Sequence, residues 1–150
     1  MKASGACISL IKRDETCVLK SYPDKKKGWA IGWGHHKPYV TEGLVISQAW
    51  ADMLLKGDIA DSENDVASAT VGCSMTQGRF DALVSWVFQF GAAELAASTL
   101  LKKLKAGDMA GAADELLRWV FVEQDDGTKA KSNKLLERRM AERRFFLGGT

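Results

Sequence analysis

The chain has 150 residues, 46% hydrophobic and 27% charged, with a formal net charge of +2. That length fits one domain, or two lobes sharing a core. The charge is too small to argue for nucleic-acid binding, no apolar run reaches membrane-spanning length, and the opening MKASGACISLIKRDE turns charged too early for a secretory leader. Three cysteines, Cys7, Cys17 and Cys73, cannot all pair within one chain. Their wide spacing reads as reduced, cytosolic thiols acting as small apolar side chains, with no metal-ligand pattern.

Ser4 is placed to cap a first helix over 5–15. Residues 17–22 lean towards β structure and lead into a turn at Pro23-Asp24. Residues 28–34 supply a second strand, and 36–40 are expected to add a third, with Pro38 at its edge. So small a sheet needs helices packed on it. Everything after Ser47 reads as helical. Ser47 caps a long helix to about residue 69, with Trp50, Met53, Leu54, Ile59 and Val66 as its apolar face and Gly57 as its weak point. Thr76 caps a helix over 77–90 that is apolar on most sides, which places it at the centre of the helical part. Gly91 ends it. Short helices follow over 92–96, 99–105 (capped by Ser98) and 109–120 (capped by Asp108). Residues 123–132 form a polar loop with a turn at Asp126-Gly127. Asn133 caps a last helix over 134–147, stopped by Gly148-Gly149.

The segment carrying chemistry is ISLIKRDETCVLKSYPDKKKGWAIGWGHH, residues 8–36. Ile8, Ile11 and Glu15 fall at i, i+3 and i+7, so Glu15 prolongs an apolar stripe at the end of the first helix. Asp24 sits in a polar turn beside Lys25, Lys26 and Lys27, a setting that keeps a carboxylate ionised. A helix running into a hairpin would put these acids on opposite walls of one cleft. One neutral acid and one charged carboxylate are what cleavage of a glycosidic bond requires. Spacing alone is a weak signal, since two such acids are more often simply solvated.

The run Glu15…Tyr22-x-Asp24…Gly28-x-x-Ile31-Gly32-Trp33-Gly34-His35 resembles the phage-type lysozymes, glycoside hydrolase family 24. The resemblance continues through Gln77-x-x-Phe80-Asp81-Ala82-Leu83-Val84-Ser85, Phe88-Gln89-Phe90-Gly91, Ser98-Thr99-Leu100-Leu101, Gly107-Asp108, Arg118-Trp119 and Arg138-Arg139-x-Ala141-Glu142. It covers nearly the whole chain. It implies an α+β, lysozyme-like fold in which a small antiparallel β-hairpin lobe is joined by a long helix to a larger helical lobe. As one domain, the chain divides into an N-terminal helix and β lobe (about 1–46), a connecting helix (about 47–69) and a helical lobe (about 70–150).

The activity the resemblance implies is hydrolysis of the β-1,4 bond between N-acetylmuramic acid and N-acetylglucosamine in peptidoglycan. Glu15 matches the general acid. Asp24 matches the aspartate that stabilises charge and helps orient water. A threonine that helps hold this water is replaced here by Ala30, whose methyl group cannot hydrogen-bond; Ser21 is a candidate substitute. Residue 16, commonly glycine in the family, is Thr16. Phe88, Gln89 and Arg118 match substrate-binding positions, and His35 and Arg138 match supporting ones, His35 orienting the hairpin and Arg138 lying close to the glutamate. No metal or organic cofactor is implied. The resemblance also implies a monomer that binds neither nucleic acid nor membrane. It would wait in the host cytoplasm until a holin opens the way to the periplasm. The alternative is a weakened or inactive protein of the same fold that binds peptidoglycan without cleaving it.

Overall fold

The computed structural model describes residues 1–149. Its centre is α3 (Gln77–Phe90), in which every residue from 80 to 87 is buried. Thr76 caps it by accepting from the Arg79 amide, and Gly91, at φ 91°, ends it. Around α3 pack α1 (Gly5–Asp14), α2 (Gln48–Ala69), α4 (Ala92–Ala97) and α7 (Asn133–Phe146). α3 and α7 approach so closely that a Cβ on Gly78 would lie 2.0 Å from the Phe145 carbonyl oxygen. Only glycine fits there. Between α4 and α7 lie α5 (Thr99–Lys105) and α6 (Met109–Glu115), packed on each other.

The hairpin β1 (Val18–Asp24) and β2 (Gly28–Gly32) is antiparallel, with Tyr22 opposite Ala30 and Asp24 opposite Gly28. Its register shifts between Val18 and Tyr22. α2 touches both β2 and the central helix α3. The mixture of helices with a small antiparallel sheet is α+β, as the sequence leads one to expect.

Five local expectations are corrected. Residues 36–40 form turns, not a third strand, because Pro38 has no amide to give and the Val40 amide closes a turn onto the Lys37 carbonyl. The partner that β1 does gain lies further on, where Ser21 donates to the Leu44 carbonyl and Ile46 to that of Leu19. The stretch expected as a polar loop is a second hairpin, β3 (Phe121–Glu123) with β4 (Lys129–Lys131), turning at Asp126-Gly127. The helix expected to reach residue 120 stops at Glu115 and tightens into a 3₁₀ turn over Leu116–Arg118. The cap of α7 is Ser132, whose hydroxyl accepts from the Leu135 amide, and not Asn133. On α2, Trp50 and Met53 face solvent, while Ala51, Leu55, Ile59, Glu63 and Val66 are buried.

Candidate active site

Glu15 is the C-cap of α1, its amide donating to the Ile11 carbonyl. The next residue, Thr16, has φ 20°, the one positive φ at a non-glycine position among the described residues. That sharp exit turns the chain from helix to hairpin and leaves the Glu15 side chain at a cleft of about 950 Å³. Phe88 and Gln89, from the end of α3, line the same cleft, as do Trp33, Arg118 and Trp119. Gly34, at φ 79°, comes so near that a Cβ there would sit 3.6 Å from Glu15 Oε2.

Glu15 does not meet the purely apolar surroundings that the helix stripe suggests. Its Oε1 accepts from Arg138 Nη1 at 2.7 Å. Arg138 is 2% exposed. Its Nη2 donates to the Ser85 carbonyl at 2.9 Å and its Nε to Ser85 Oγ at 3.3 Å. Ser85 Oγ in turn donates to Glu142 Oε1 at 2.7 Å. Glu142 lies 2.7 Å from Arg139 Nε, both without solvent exposure. Burial pushes the Glu142 carboxyl up and the Arg139 guanidinium down, and each charge pulls the other back. Glu15 thus leans on a buried chain of alternating charge that joins α3 to α7.

Asp24 is placed differently. Its Oδ1 accepts from the amides of Lys26 and Lys27, at 2.9 and 3.0 Å, a turn closed by its own side chain. Those two bonds, that of Lys26 foremost, hold its carboxyl below the ordinary value despite slight desolvation, with help from the charge of Lys27. Asp24 is not itself among the residues that line the cleft, although Lys26 and Lys27 of its turn are. Tyr22, two residues earlier on β1, shares its face of the strand. Its phenol is pushed up by burial first and then by the charges of Glu15 and Asp24. Tyr22 therefore lies within the field of both carboxylates.

Ala30 is 1% exposed and pairs with Tyr22. Ser21 does not substitute for the missing hydroxyl. It sits on the opposite face of β1 from Tyr22, and its Oγ is committed to the Thr41 carbonyl at 2.7 Å. His35 is buried. Its Nδ1 lies 2.8 Å from Asp58 Oδ2 and its Nε2 2.6 Å from Tyr39 Oη. Since a carboxylate only accepts, the contact with Asp58 places a proton on Nδ1. This ties the end of the hairpin to α2. Arg118 is 77% exposed along its side chain and lies 3.4 Å from Glu115 Oε2.

Sequence reasoning missed part of the lining. Glu94, Thr99, Glu115, Phe121, Glu123 and Lys129 also face the cleft. They come from five separate elements and carry no local signal. Trp119 is both lining and core, packed edge-on to Trp86 at 4.8 Å. Among the described residues no group of three His, Cys, Asp or Glu side chains is placed to hold a metal, and no helix is long and apolar enough to cross a membrane.

Comparison with known proteins agrees with this architecture. The chain is 35% identical over 147 residues to an endolysin of Acyrthosiphon pisum secondary endosymbiont phage 1, covering 97% of this chain and 98% of that one. It is 38% identical over 151 residues to an endolysin of Bacillus phage B103, of which it spans only 55%. The muramidase domain of SpmX from Asticaccaulis excentricus superposes with a TM-score of 0.86 at 31% identity, over 97% of each chain. The family model described as phage lysozyme matches residues 12–142, which include Glu15, the hairpin and the buried arginines of α7: the chain belongs to the phage lysozyme family.

Proposed function

We propose that this chain is a phage endolysin, a muramidase that hydrolyses the β-1,4 bond of peptidoglycan between N-acetylmuramic acid and N-acetylglucosamine and so lyses the host. The observation that carries the reading is a carboxylate at a helix end, fixed by a buried guanidinium and opening onto a cleft of about 950 Å³. Glu15 protonates the leaving oxygen. Asp24 steadies the cationic sugar from the hairpin side and orients water, using the oxygen that its own turn leaves free. Phe88 offers a ring to the apolar face of a sugar, and Gln89 a side-chain amide to its polar groups. Arg118, free of burial at the rim, is available to a peptide-stem carboxylate. His35 and Arg138 hold the two sides of the site in place.

Ala30 withholds one contact from the attacking water. By analogy with removal of one stabilising donor, that costs on the order of 2–4 kcal/mol of transition-state stabilisation and slows the reaction without changing its type. A binding-only protein is the less favoured reading, because both carboxylates are retained. The chain acts as a monomer and as the single domain set out above, with its β lobe, connecting helix and helical lobe. It waits in the host cytoplasm until a holin lets it reach the wall; no direct contact with the holin is implied. The test is lysis of permeabilised Gram-negative cells. Lysis by the parent that disappears in Glu15→Gln supports the reading; firm sedimentation with peptidoglycan and no lysis by the parent overturns it.

A further inference from the structure

The second buried arginine of α7 takes no part in the reaction just described. Arg139 has no solvent exposure. Its Nη2 donates to Gln89 Oε1 at 2.7 Å and to Glu142 Oε1 at 2.9 Å. The guanidinium also covers the Phe90 ring at 4.9 Å. A guanidinium has donors only, so the Gln89 atom turned towards it is the carbonyl oxygen. The amide nitrogen is left for the cleft that Gln89 lines. A side-chain amide that could otherwise offer either end is thereby made a donor.

That fixed direction has a chemical consequence. Sugar hydroxyls both donate and accept, so they meet either end of an amide equally well. The carbonyl of an N-acetyl group only accepts, and the ammonium of a de-N-acetylated sugar only donates. We propose that Arg139 is a positioning residue for substrate selection: by holding the Gln89 carbonyl inward, it makes the cleft prefer glycans whose amino sugars carry the N-acetyl group over those with a free amine. This rests on the reading of the cleft as a peptidoglycan site. The setting is in the core and not on a loop, since Arg139 is itself fixed by Glu142, and Glu142 by Ser85.

The experiment measures binding and not cleavage. In a Glu15→Gln background, calorimetry compares tri-N-acetylchitotriose with the fully de-N-acetylated trimer, at a mildly acidic pH where the amine is charged. The N-acetylated trimer is expected to bind at least about ten-fold more tightly. Gln89→Glu still accepts the bond from Arg139 but turns an acceptor to the cleft, and is expected to abolish or reverse the preference. Arg139→Lys keeps a charge beside Glu142 but loses the planar fork, and is expected to weaken the preference at least about three-fold. An unchanged preference in Gln89→Glu overturns the proposal, and so does its retention in a folded Arg139→Lys. If Arg139→Lys fails to fold, the Gln89→Glu comparison decides, because a freely turning amide in the parent would suit both trimers and leave no preference to lose. Binding of both trimers without preference sinks this inference alone; binding of neither sinks the underlying reading with it.

Discussion

Replacing Arg138 by methionine asks whether the charges behind Glu15 form one coupled unit. Arg138 reaches Glu15 at 2.7 Å, the Ser85 carbonyl at 2.9 Å, Ser85 Oγ at 3.3 Å and Glu142 at 3.4 Å. Removing one partner of a buried ion pair costs about 3–5 kcal/mol, because the other charge stays buried and unpaired. Two features put this case at the lower end. Glu142 keeps Arg139 at 2.7 Å, closer than it had Arg138. Glu15 retains 23% side-chain exposure and can turn to cleft water. The expected loss is therefore about 3 kcal/mol, read as a fall in Tm of about 6–12 °C for a chain of this length. Urea unfolding of the parent, Arg138→Met, Glu142→Gln and the double variant completes a cycle. Both side chains share Ser85 Oγ. The double variant should thus be at least about 1 kcal/mol more stable than the two losses added together. Additivity within about 0.5 kcal/mol refutes the coupled cluster.

Four further outcomes are expected. Thr16, β-branched at φ 20°, is strained, so Thr16→Gly should raise stability by about 0.5–1 kcal/mol, seen as a higher urea midpoint at unchanged slope; an equal or lower midpoint shows there is no strain to release. Asp24→Asn keeps an acceptor for the Lys26 and Lys27 amides but loses the charge, so the turn should persist while the lysis rate falls at least about 100-fold, whereas Asp24→Ala should unsettle the turn as well. Because the folded-state value of Asp24 is lowered, the stabilisation from its carboxylate is complete above the ordinary 3.8 and is lost as acid carries the protein below it. The Lys26 and Lys27 amide shifts should report that transition, and Asp24→Asn should erase it. Burial, then the charges of Asp81 and Glu142, push the Cys7 thiol up to about 12. At mildly alkaline pH a disulfide reagent should therefore modify the part-exposed Cys17 and Cys73 in the native protein and reach Cys7 only after unfolding; three fast thiols would contradict the buried placement.

What the sequence made legible was set by local chemistry. Ser4, Ser47, Thr76, Ser98 and Asp108 each cap the helix assigned to them, because a side-chain oxygen beside unsatisfied amides is a local device. The central placement of α3 was legible because its apolar residues leave no polar face. The buried face of α2 was not, because burial there depends on distant partners. Glu63 is buried since it accepts from the Ala3 amide and Lys2, while the more apolar Met53 has nothing to cover it. The second hairpin was hidden for a related reason. Phe121 and Val122 are exposed, so β3 lacks the in-and-out alternation that marks a half-buried strand. Within the cleft, Glu15, Phe88, Gln89 and Arg118 stand in motifs. Glu94 and Glu115 join them only through the packing of α4 and α6, which no local pattern records.

The two carboxylates are held by unlike means, and that asymmetry bears on how a polymer is admitted. Glu15 is fixed to α7 through Arg138, inside the protein. Asp24, with Ala30 opposite its strand, rides on the hairpin and is held by the amides of its own turn. Across the cleft mouth the tips of the two hairpins meet through Lys25 Nζ and Asp125 Oδ1 at 2.6 Å, with side chains 86% and 94% exposed. So exposed a pair is screened by salt and offset by the ordering of two long side chains, so it holds the mouth closed only weakly. A displacement of the first hairpin would carry Asp24 outward and leave Glu15 where it is. The distance between Glu15 and Asp24, on which the stereochemical outcome depends in the proposed reaction, is therefore governed by the seating of the hairpin and not by the core. Removal of the Lys25 charge should accordingly alter the salt dependence of lysis while leaving thermal stability almost unchanged, and a large loss of stability on that substitution would show that the contact at the mouth is structural.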